Sequence, residues 1–413
     1  MFKAKEIEGE LKYAVRRQEE TIYRKKLKLS NPSVARYRDL ILYNLEAGES
    51  VLTDNNDIRI YTDGKEKFRA LLGEIRKAEK YIHLQYYIIR NDELWQHIEP
   101  LLIQKAKEGV KVRILFDSMG CRGMHNRDWE RLENAGIQVA EFFPALLGKL
   151  QLRMNYRNHR KIVVIDGRIG FVGGFNVGRE YLGLDEKKFG YWRDTHLCIE
   201  GAAVTSLAVR FVLDWNYAAK ENLFQDDSLF EIPQYIRNGH DPVQIISSGP
   251  DSKIKTIHSA RDHVYLQTPY FIPDDSILDA LKIAARSGVD VRIMIPCKPD
   301  HPFVYWATYS YIGEMVEAGA KCYLYQNGFL HAKTMMVDTM VASVGTANMD
   351  FRSFGLNFEV NAVIYSEETT QRLERTFEND MIKATQVTRN LYEQRSLVIR
   401  VKEQFSRLLS PLL

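Results

Sequence analysis

The chain has 413 residues, of which 45% are hydrophobic and 27% charged, so it is long enough for two domains or one large duplicated one. Its net charge of +3 is too small to indicate a protein that coats nucleic acid. No run of about 18 apolar residues occurs, so the sequence predicts no transmembrane helix, and its start lacks the apolar segment of a signal peptide.

Residues 1–56 predict a basic helical arm ahead of the repeated part of the chain. Apolar residues recur there at helical spacing between Val34 and Leu45. Two interpretations stay open, a solvated arm and a surface for anionic lipid, on which each basic residue contributes about 1 kcal/mol. The basic cluster that favours the second consists of Arg24, Lys25, Lys26 and Lys28.

Two similar halves follow, which we place at residues 57–225 and 240–413. In each half a hydrophobic strand leads into a helix, and a Gly then opens a second strand. These segments are predicted at 82–87, 94–108 and 109–114, and again at 264–270, 277–287 and 288–293. Gly136 and Gly319 open a third strand in each half. The alternation predicts an α/β fold of two pseudo-symmetric αβα sandwich halves, each with a mixed β-sheet.

One pattern of polar residues occurs once in each half. His-x-Lys is followed by an Asp five residues after the Lys and by an Asn ten residues after that Asp. Because both copies also carry a Gly at the same offset, the repetition is not accidental. The copies are His159, Lys161, Asp166, Gly173 and Asn176, and His331, Lys333, Asp338, Gly345 and Asn348.

Each copy has the pattern of a β-hairpin, in which residues two apart share a face, so that His and Lys point the same way. If the loops are the two-residue segments 167–168 and 339–340, Asn176 lies beside His159 and Asn348 beside His331. The glycine steps at 173–174 and 345–346 would then let backbone amides approach a phosphate at a helix start. For Asp166 and Asp338, a catalytic role and an ordinary turn role both remain open.

An imidazole, an ammonium and an amide on one face form a receptor for phosphate. Two such faces hold two histidines on opposite sides of one phosphorus, where one attacks and the other protonates the leaving alkoxide and then deprotonates the incoming hydroxyl. The donors that carry the transition-state charge are Lys161, Asn176, Lys333 and Asn348, so the scheme predicts no metal and no cofactor.

A nucleophilic histidine also needs a carboxylate on its other ring nitrogen. Asp194 and Glu359, each in a strand that follows one copy of the motif, are the candidates. The cysteines lack the spacing of metal ligands, and the chain is not a small secreted domain of the disulfide-rich kind. We therefore predict that they are reduced thiols in the core. They are Cys121, Cys198, Cys297 and Cys322.

The two complete motifs resemble the phospholipase D superfamily, and longer strings resemble, within it, the bacterial cardiolipin synthase family. The resemblance covers residues 57–413. The strings are NYRNHRKIVVIDG (155–167), VGGFNVGREYLG (172–183), YWRDTHL (191–197), LQTPYFIPD (266–274), GFLHAKTMMVD (328–338) and SVGTANMDFRSFGLNFEVNA (343–362).

The resemblance implies a phospholipase D-like fold in both halves and transfer of a phosphatidyl group between two phosphatidylglycerol molecules, which gives cardiolipin and glycerol through a phosphatidyl-histidine. It implies His159 as the nucleophile and His331 as the acid and base. A hydrolase that releases phosphatidic acid is the alternative. The low net charge disfavours a nuclease, and the intact motifs disfavour an inactive membrane scaffold.

The expected partners are phosphatidylglycerol and cardiolipin in an anionic membrane, with no nucleic acid. Family members usually begin with two transmembrane helices, which this sequence lacks. We therefore expect either a missing N-terminal anchor or peripheral association, at the cytoplasmic face of the cell membrane.

Two apolar clusters are candidates for lipid contact. The first is interleaved with Lys149 and Arg153 and either enters the membrane interface or packs in the core. It consists of Phe142, Phe143, Leu146, Leu147, Leu150 and Leu152. The second, for which the core is favoured over a substrate channel, consists of Phe303, Tyr305, Trp306, Tyr309 and Tyr311.

Overall fold

The computed structural model describes residues 32–143, 156–226, 229–230, 239–247, 251–298, 300 and 302–409. The N-terminal part and first half contain helices α1 (Arg38–Gly48), α2 (Gly64–Arg76), α3 (Glu93–Lys107), α4 (Asn126–Asn134) and α5 (Ala203–Ala219). Their strands are β1 (Thr53–Tyr61), β2 (Tyr81–Tyr86), β3 (Lys111–Asp117), β4 (Gln138–Phe142), β5 (Arg157–Asn158), β6 (Ile162–Ile165), β7 (Ile169–Gly173), β8 (Trp192–Arg193) and β9 (His196–Gly201).

The second half repeats these elements and adds a C-terminal extension. Its helices are α6 (Asp251–His258), α7 (Asp275–Arg286), α8 (Pro302–Glu317), α9 (Phe351–Gly355), α10 (Glu367–Met381), α11 (Arg389–Glu393) and α12 (Leu397–Leu408). Its strands are β10 (Asp241–Ser247), β11 (His263–Gln267), β12 (Phe271–Ile272), β13 (Asp290–Pro296), β14 (Lys321–Tyr325), β15 (Phe329–Leu330), β16 (Thr334–Val337), β17 (Val341–Gly345), β18 (Met349–Asp350), β19 (Asn357–Phe358), β20 (Val360–Ile364) and β21 (Ala384–Val387).

The main sheet has 15 strands in the order β21-β14-β13-β11-β16-β17-β20-β10-β1-β9-β7-β6-β2-β3-β4. Outward from its centre, β1-β9-β7-β6-β2-β3-β4 matches β10-β20-β17-β16-β11-β13-β14. In each half the last three of these strands pair in parallel and the inner ones antiparallel. The predicted α/β fold of two repeated halves is therefore confirmed. Its two mixed sheets join into one, because β1 pairs with β10.

Three apolar cores support this sheet. One lies in the first half and one in the second, and the third joins residues of both halves, among them Phe211, Ile245 and Val360. The helices begin where the sequence supplies caps: the carboxylate of Asp63 accepts hydrogen bonds from two amides of α2, and Asp274 caps α7 in the same way through one amide.

The described part of the N-terminal arm packs one face against the second half. Val34, Leu40 and Leu45 are buried in the core of the second half. Asn44 Nδ2 donates to the hydroxyl of Tyr365 over 3.1 Å. The apolar spacing thus predicted the helix correctly, and its apolar face is covered by protein.

The motif hairpins have three-residue loops, not the two-residue loops expected from the sequence. Ile165 pairs with Ile169 and Val337 with Val341. Asp338 and Thr339 both have positive φ, a conformation that a β-branched residue such as Thr rarely adopts. This register removes the cross-strand pairing that was expected to place each motif Asn beside its His.

Candidate active site

His159 is positioned by both halves of the chain. It follows β5, which pairs in parallel with β19 of the second half, and its backbone amide donates to Phe358 O over 3.0 Å. Its Nδ1 lies 2.9 Å from Oε1 and 3.1 Å from Oε2 of Glu359, a buried carboxylate of the second half. A hydrogen bond to Nδ1 leaves Nε2 as the reactive nitrogen.

His331 is positioned in the reciprocal way. It follows β15, which pairs in parallel with β8 of the first half, and its amide donates to Arg193 O over 2.7 Å. Its Nδ1 lies 2.6 Å from Oδ2 of Asp194, which is fully buried. Each half therefore supplies the carboxylate for the histidine of the other half, an exchange that the sequence does not reveal.

Both histidines open into one cavity of about 470 Å³ between the halves. Hydrogen-bonding and charged side chains line it together with apolar ones, which suits a ligand with a polar head and a hydrocarbon body. Among its lining residues are Tyr87, Arg157, His159, Asn176, Glu180, Trp192, Tyr270, Val304, His331, Asn348 and Arg352.

Burial and nearby positive charge keep both imidazoles neutral. Burial lowers the pKa of His331 to about 4, and the charge of Lys333 acts in the same direction against the opposing effect of Asp194. Burial also lowers the pKa of His159, partly offset by Glu359. Neutral imidazole is the nucleophilic form, so both rings are ready to attack near pH 7.

The motif lysines lie behind the histidines. Lys161 Nζ donates to His159 O over 2.6 Å, and Lys333 Nζ donates to His331 O over 2.5 Å. Burial lowers the pKa of Lys161 to about 7 and that of Lys333 to about 8, although Glu359 and Asp194 oppose the shift. An anion bound between the histidines would favour the charged form of both lysines.

The motif asparagines lie in the cavity wall. Asn176 Oδ1 accepts from the Ile88 amide over 3.1 Å, and Asn348 Nδ2 donates to Asp350 over 3.0 Å. The buried Oδ1 of Asn348 has no hydrogen-bond partner among the described residues. The structure thus brings both asparagines and both histidines to the same cavity.

Asp166 and Asp338 are not brought to the histidines, and the catalytic role expected for them is corrected to a structural one. Asp166 accepts hydrogen bonds from the backbone amides of residues 79, 80 and 81. Asp338 accepts from those of residues 261, 262 and 263 and pairs with Arg36 at 2.8 Å. Each carboxylate fastens its hairpin loop to the start of the neighbouring strand, β2 or β11.

The glycine steps also differ from the expectation, because their amides are used within the protein. The Gly174 amide donates to Thr195 O and the Thr346 amide to Val360 O, both over 2.9 Å, and no helix begins at either step. A Cβ on Gly174 would lie 1.9 Å from the carboxylate of Asp194. This glycine therefore makes room for the partner of His331.

Two buried acids beneath the site were missed by the sequence analysis. Asp214 on α5 pairs with Arg160 at 2.5 Å and accepts from Gln85 over 2.6 Å. Asp380 on α10 accepts from Arg193 over 3.2 Å and from Gln267 over 2.9 Å. The sequence did contain a signal for these acids, because a Leu-Gln pair occurs in both β2 and β11. A buried Gln requires a hydrogen-bond partner, which here is Asp214 or Asp380.

The lipid-contact candidates fall partly outside the described residues. This applies to Leu146, Leu147, Leu150 and Leu152, and to the basic cluster at 24–28. Phe142 is buried in the core shared by both halves. The aromatic residues of α8 pack against the C-terminal helices, with Tyr309 and Phe303 next to Tyr392 and Phe405.

Two histidine–carboxylate pairs and two lysines around one cavity, on a duplicated α/β sheet, define a phospholipase D-like protein. Solved structures share this fold: a phosphatidylserine synthase of Haemophilus influenzae has a TM-score of 0.67 at 15% identity and covers 86% of this chain and 95% of its own. A polyphosphate kinase of Porphyromonas gingivalis has a TM-score of 0.53 at 13% identity and covers 87% and 53%.

Sequence comparison places the chain more narrowly. The family model described as "Cardiolipin synthase, PLD-like domain" matches residues 71–193 and 254–381. A cardiolipin synthase of Oceanobacillus iheyensis is 51% identical over 98% of this chain and 85% of its own length. The major cardiolipin synthase of Bacillus subtilis is 50% identical over 97% and 84%. The chain belongs to the cardiolipin synthase family, phosphatidyltransferases of the phospholipase D type, as the motifs predicted.

Proposed function

We propose that this chain converts two molecules of phosphatidylglycerol into cardiolipin and glycerol, by reversible and metal-independent phosphatidyl transfer. The observation that carries the proposal is the pair of neutral histidines, each held at Nδ1 by a carboxylate, that open into one cavity. Membership of the cardiolipin synthase family supports the choice of substrate.

In the first step, Nε2 of one histidine attacks the phosphorus of the donor lipid. The P–N bond forms, the P–O bond to the head-group glycerol breaks, and the second histidine gives its proton to the leaving alkoxide. In the second step this histidine removes a proton from the hydroxyl of the acceptor lipid, whose oxygen forms the new P–O bond as the P–N bond breaks.

The bound phosphate itself prepares the acid. Burial and the charge of Lys333 are the two leading causes of the low pKa of His331. A phosphodiester anion next to Lys333 offsets that charge and raises the pKa of the imidazole, so that the histidine holds a proton when the alkoxide leaves. Lys161 and Lys333 then stabilise the charge that builds up on the non-bridging oxygens.

We assign His159 as the nucleophile and His331 as the acid and base, an assignment that rests on the resemblance. The two side chains have similar exposure, 12% and 11%. Enzyme that is quenched in a denaturant at mildly alkaline pH, where the P–N bond survives, should yield a phosphatidyl-histidine peptide that contains His159. A modified peptide that contains His331 would reverse the assignment.

The test of function uses phosphatidylglycerol liposomes, the purified chain and a chelator, followed by lipid mass spectrometry and a glycerol assay. We expect cardiolipin with an equal amount of glycerol, and neither product from His159→Ala or His331→Ala. His97→Ala, an exposed histidine on α3, is the matched control and should keep the activity. Phosphatidic acid in place of cardiolipin would identify a hydrolase.

We also propose that the chain associates with the cytoplasmic face of an anionic membrane. None of the helices in the described ranges is both long and apolar enough to cross a bilayer. On α12, however, apolar side chains spaced by three or four residues are exposed, and the exposed basic residues Arg400 and Lys402 flank them. These apolar residues, the α12 stripe, are Leu397, Val401, Phe405 and Leu408.

The α12 stripe is close to the substrate cavity in the fold. The opposite face of α12, which carries Glu403 and Ser406, is buried, and Arg407 pairs with Glu314 of α8. At the edge of the stripe, Phe405 lies beside Phe303 of α8. Val304, the next residue of α8, lines the cavity. A bilayer that covers the stripe would therefore lie near a wall of the cavity that receives the lipid.

A further inference from the structure

The two motif copies are alike, but the residues beside them are not. Two positions before the motif histidine, the first half has Arg157 and the second half has Phe329. Four positions after the motif asparagine, the first half has Glu180 and the second half has Arg352. A cavity built from a duplicated motif has thus acquired two arginines without counterparts at the matching positions.

Both arginines belong to the same part of the cavity wall. Arg157 lies on β5, immediately before the His159 segment, and is 7% exposed. Arg352 lies on α9, just after Asp350, and no carboxylate forms an ion pair with it within the part of the chain that the structure describes. Both side chains line the cavity that contains the two histidines.

Tyr87 joins these two arginines to the catalytic centre. Its ring centroid lies 4.9 Å from that of His159, in an edge-to-face arrangement. Burial and Asp117 raise the pKa of the Tyr87 hydroxyl, whereas the charges of Arg157 and Arg352 lower it. The two guanidinium groups therefore act on the hydroxyl of a tyrosine whose ring packs against the motif histidine.

The wall around His331 has a different character. The ring centroids of Trp192 and Phe329 lie 5.1 Å and 6.0 Å from that of His331. Glu180, the counterpart of Arg352, is paired with Arg90 at 2.7 Å. The surroundings of His331 are thus aromatic, whereas His159 packs against Tyr87, whose hydroxyl is affected by the charges of the two additional arginines.

The proposed reaction requires this asymmetry. Donor and acceptor are the same lipid, and each has a phosphodiester, but only one phosphorus can lie between the histidines. The other phosphate is held close by because the three-carbon glycerol joins the two in the product. Without a counter-charge, two anions in one cavity would repel each other.

We propose that Arg157 and Arg352 form a subsite for the phosphodiester of the second lipid, which rests on the proposed function. Guanidinium groups bind phosphate oxygens through paired hydrogen bonds, and a partly buried site strengthens them. The subsite distinguishes a phosphate-bearing acceptor alcohol from water or glycerol, neither of which has an anion to bind. It therefore favours cardiolipin over hydrolysis or glycerol exchange.

The experiment compares two reactions of the same enzyme on phosphatidylglycerol in mixed micelles. The first is cardiolipin formation, and the second is incorporation of labelled glycerol into phosphatidylglycerol, whose acceptor has no phosphate. In Arg352→Ala we expect the ratio of the first rate to the second to fall by about tenfold or more, which is typical for loss of a charge-assisted contact. Arg352→Lys, which keeps the charge, should restore part of the ratio.

Arg157→Gln tests the second member of the pair and should lower the same ratio. Arg286→Ala, an exposed arginine on α7, is the control and should leave the ratio as in the wild type. Circular dichroism checks folding, and Arg352→Ala alone decides the question if Arg157→Gln does not fold. An unchanged ratio, including a parallel loss of both rates, overturns the subsite. Absence of cardiolipin with the wild-type chain would instead overturn the proposed function.

Discussion

At the residue scale, burial determines the charge states on which the proposed chemistry depends. The same low-dielectric surroundings that keep His159 and His331 neutral also lower the pKa values of Lys161 and Lys333. A neutral nucleophile is useful at neutral pH, but an uncharged lysine cannot attract a phosphate. The free enzyme should therefore bind phosphate less well at a pH above the pKa values of the two lysines.

The pH profile follows from these shifts. The pKa values of Lys161 and Lys333 are lowered to about 7 and about 8, and the charged form exists below them. We expect kcat/KM for phosphatidylglycerol to fall as the pH rises through 7 to 8, because the free enzyme loses its cations. Since bound phosphate raises both values, kcat should fall only at higher pH.

Initial rates in mixed micelles between about pH 6 and about pH 9.5, which brackets the lysine pKa values, would give both profiles. Lys333→Arg supplies a matched control, since arginine stays charged throughout this range. In this variant the decline of kcat/KM should become shallower. A wild-type kcat/KM that stays level up to pH 9, about one unit past the higher value, would contradict the assignment.

Asp194 and Glu359, which each pair with the histidine of the other half and are called here the crossed carboxylates, should affect kcat more than the stability of the fold. Glu359→Gln keeps the shape of the side chain but cannot stabilise the imidazolium of His159, so we expect kcat to fall by about 10² to 10⁴. Glu374→Gln is the matched control, because Glu374 contacts His263 at 2.6 Å outside the cavity. It should leave kcat unchanged, and an equal loss in both variants would mean a general effect on folding.

Much of the site can be predicted from the sequence because the motif repeats. The spacing identified His159, His331 and their lysines. Asp194 and Glu359 were chosen from predicted strands, although each lies in the gap between two strands of the structure. The sequence could not show that the pairs cross between the halves, since that depends on how two separate segments meet. Asp166 and Asp338 were ambiguous because a turn and a catalytic site both favour Asp.

At the element scale, the strands that hold the histidines are too short to predict. β5, β8, β15 and β19 have two residues each, which is too few to show an alternating pattern. The long elements were predicted within a few residues: 94–108 became α3 at 93–107, and 277–287 became α7 at 275–286. Strand 264–270 ended earlier, at residue 267, because Pro269 cannot donate in a ladder.

The α12 stripe makes a prediction at this scale. Val401 and Leu408 are 67% and 80% exposed, so charging them should not disturb the core. We expect Val401→Glu with Leu408→Glu to weaken binding to anionic liposomes by about tenfold or more, because burial of each apolar side chain contributes about 1.5–3 kcal/mol. Co-sedimentation with phosphatidylglycerol vesicles measures this loss.

Ile382→Glu is the matched control, since Ile382 is 83% exposed but lies outside α12, at the end of α10. Its binding should equal that of the wild type, and circular dichroism should show all variants folded. If the double variant binds as well as Ile382→Glu, the α12 stripe does not contact the membrane.

At the scale of the whole molecule, the halves proposed at 57–225 and 240–413 are not expected to behave as separate folding units. β1 and β10 pair across the boundary, and one apolar core contains residues from both halves. The repeat predicted two similar units, but repetition does not reveal whether two sheets join or stand apart.

We expect a single cooperative unfolding transition, with the same midpoint by far-UV circular dichroism and by tryptophan fluorescence. Tryptophans report on both halves, since Trp95, Trp192 and Trp215 are in the first and Trp306 is in the second. Two resolved transitions in urea would show that the shared core contributes little to the stability of either half.

Duplication usually provides redundancy, because a damaged copy leaves an intact one. The crossed carboxylates remove that safeguard here. Losing Glu359 in the second half deprives His159 of its partner, and losing Asp194 in the first half deprives His331 of its own. The two copies are therefore mutually dependent, and loss of the carboxylate in either copy should abolish the whole reaction. Selection must accordingly preserve both copies of the motif, even while the residues around them diverge.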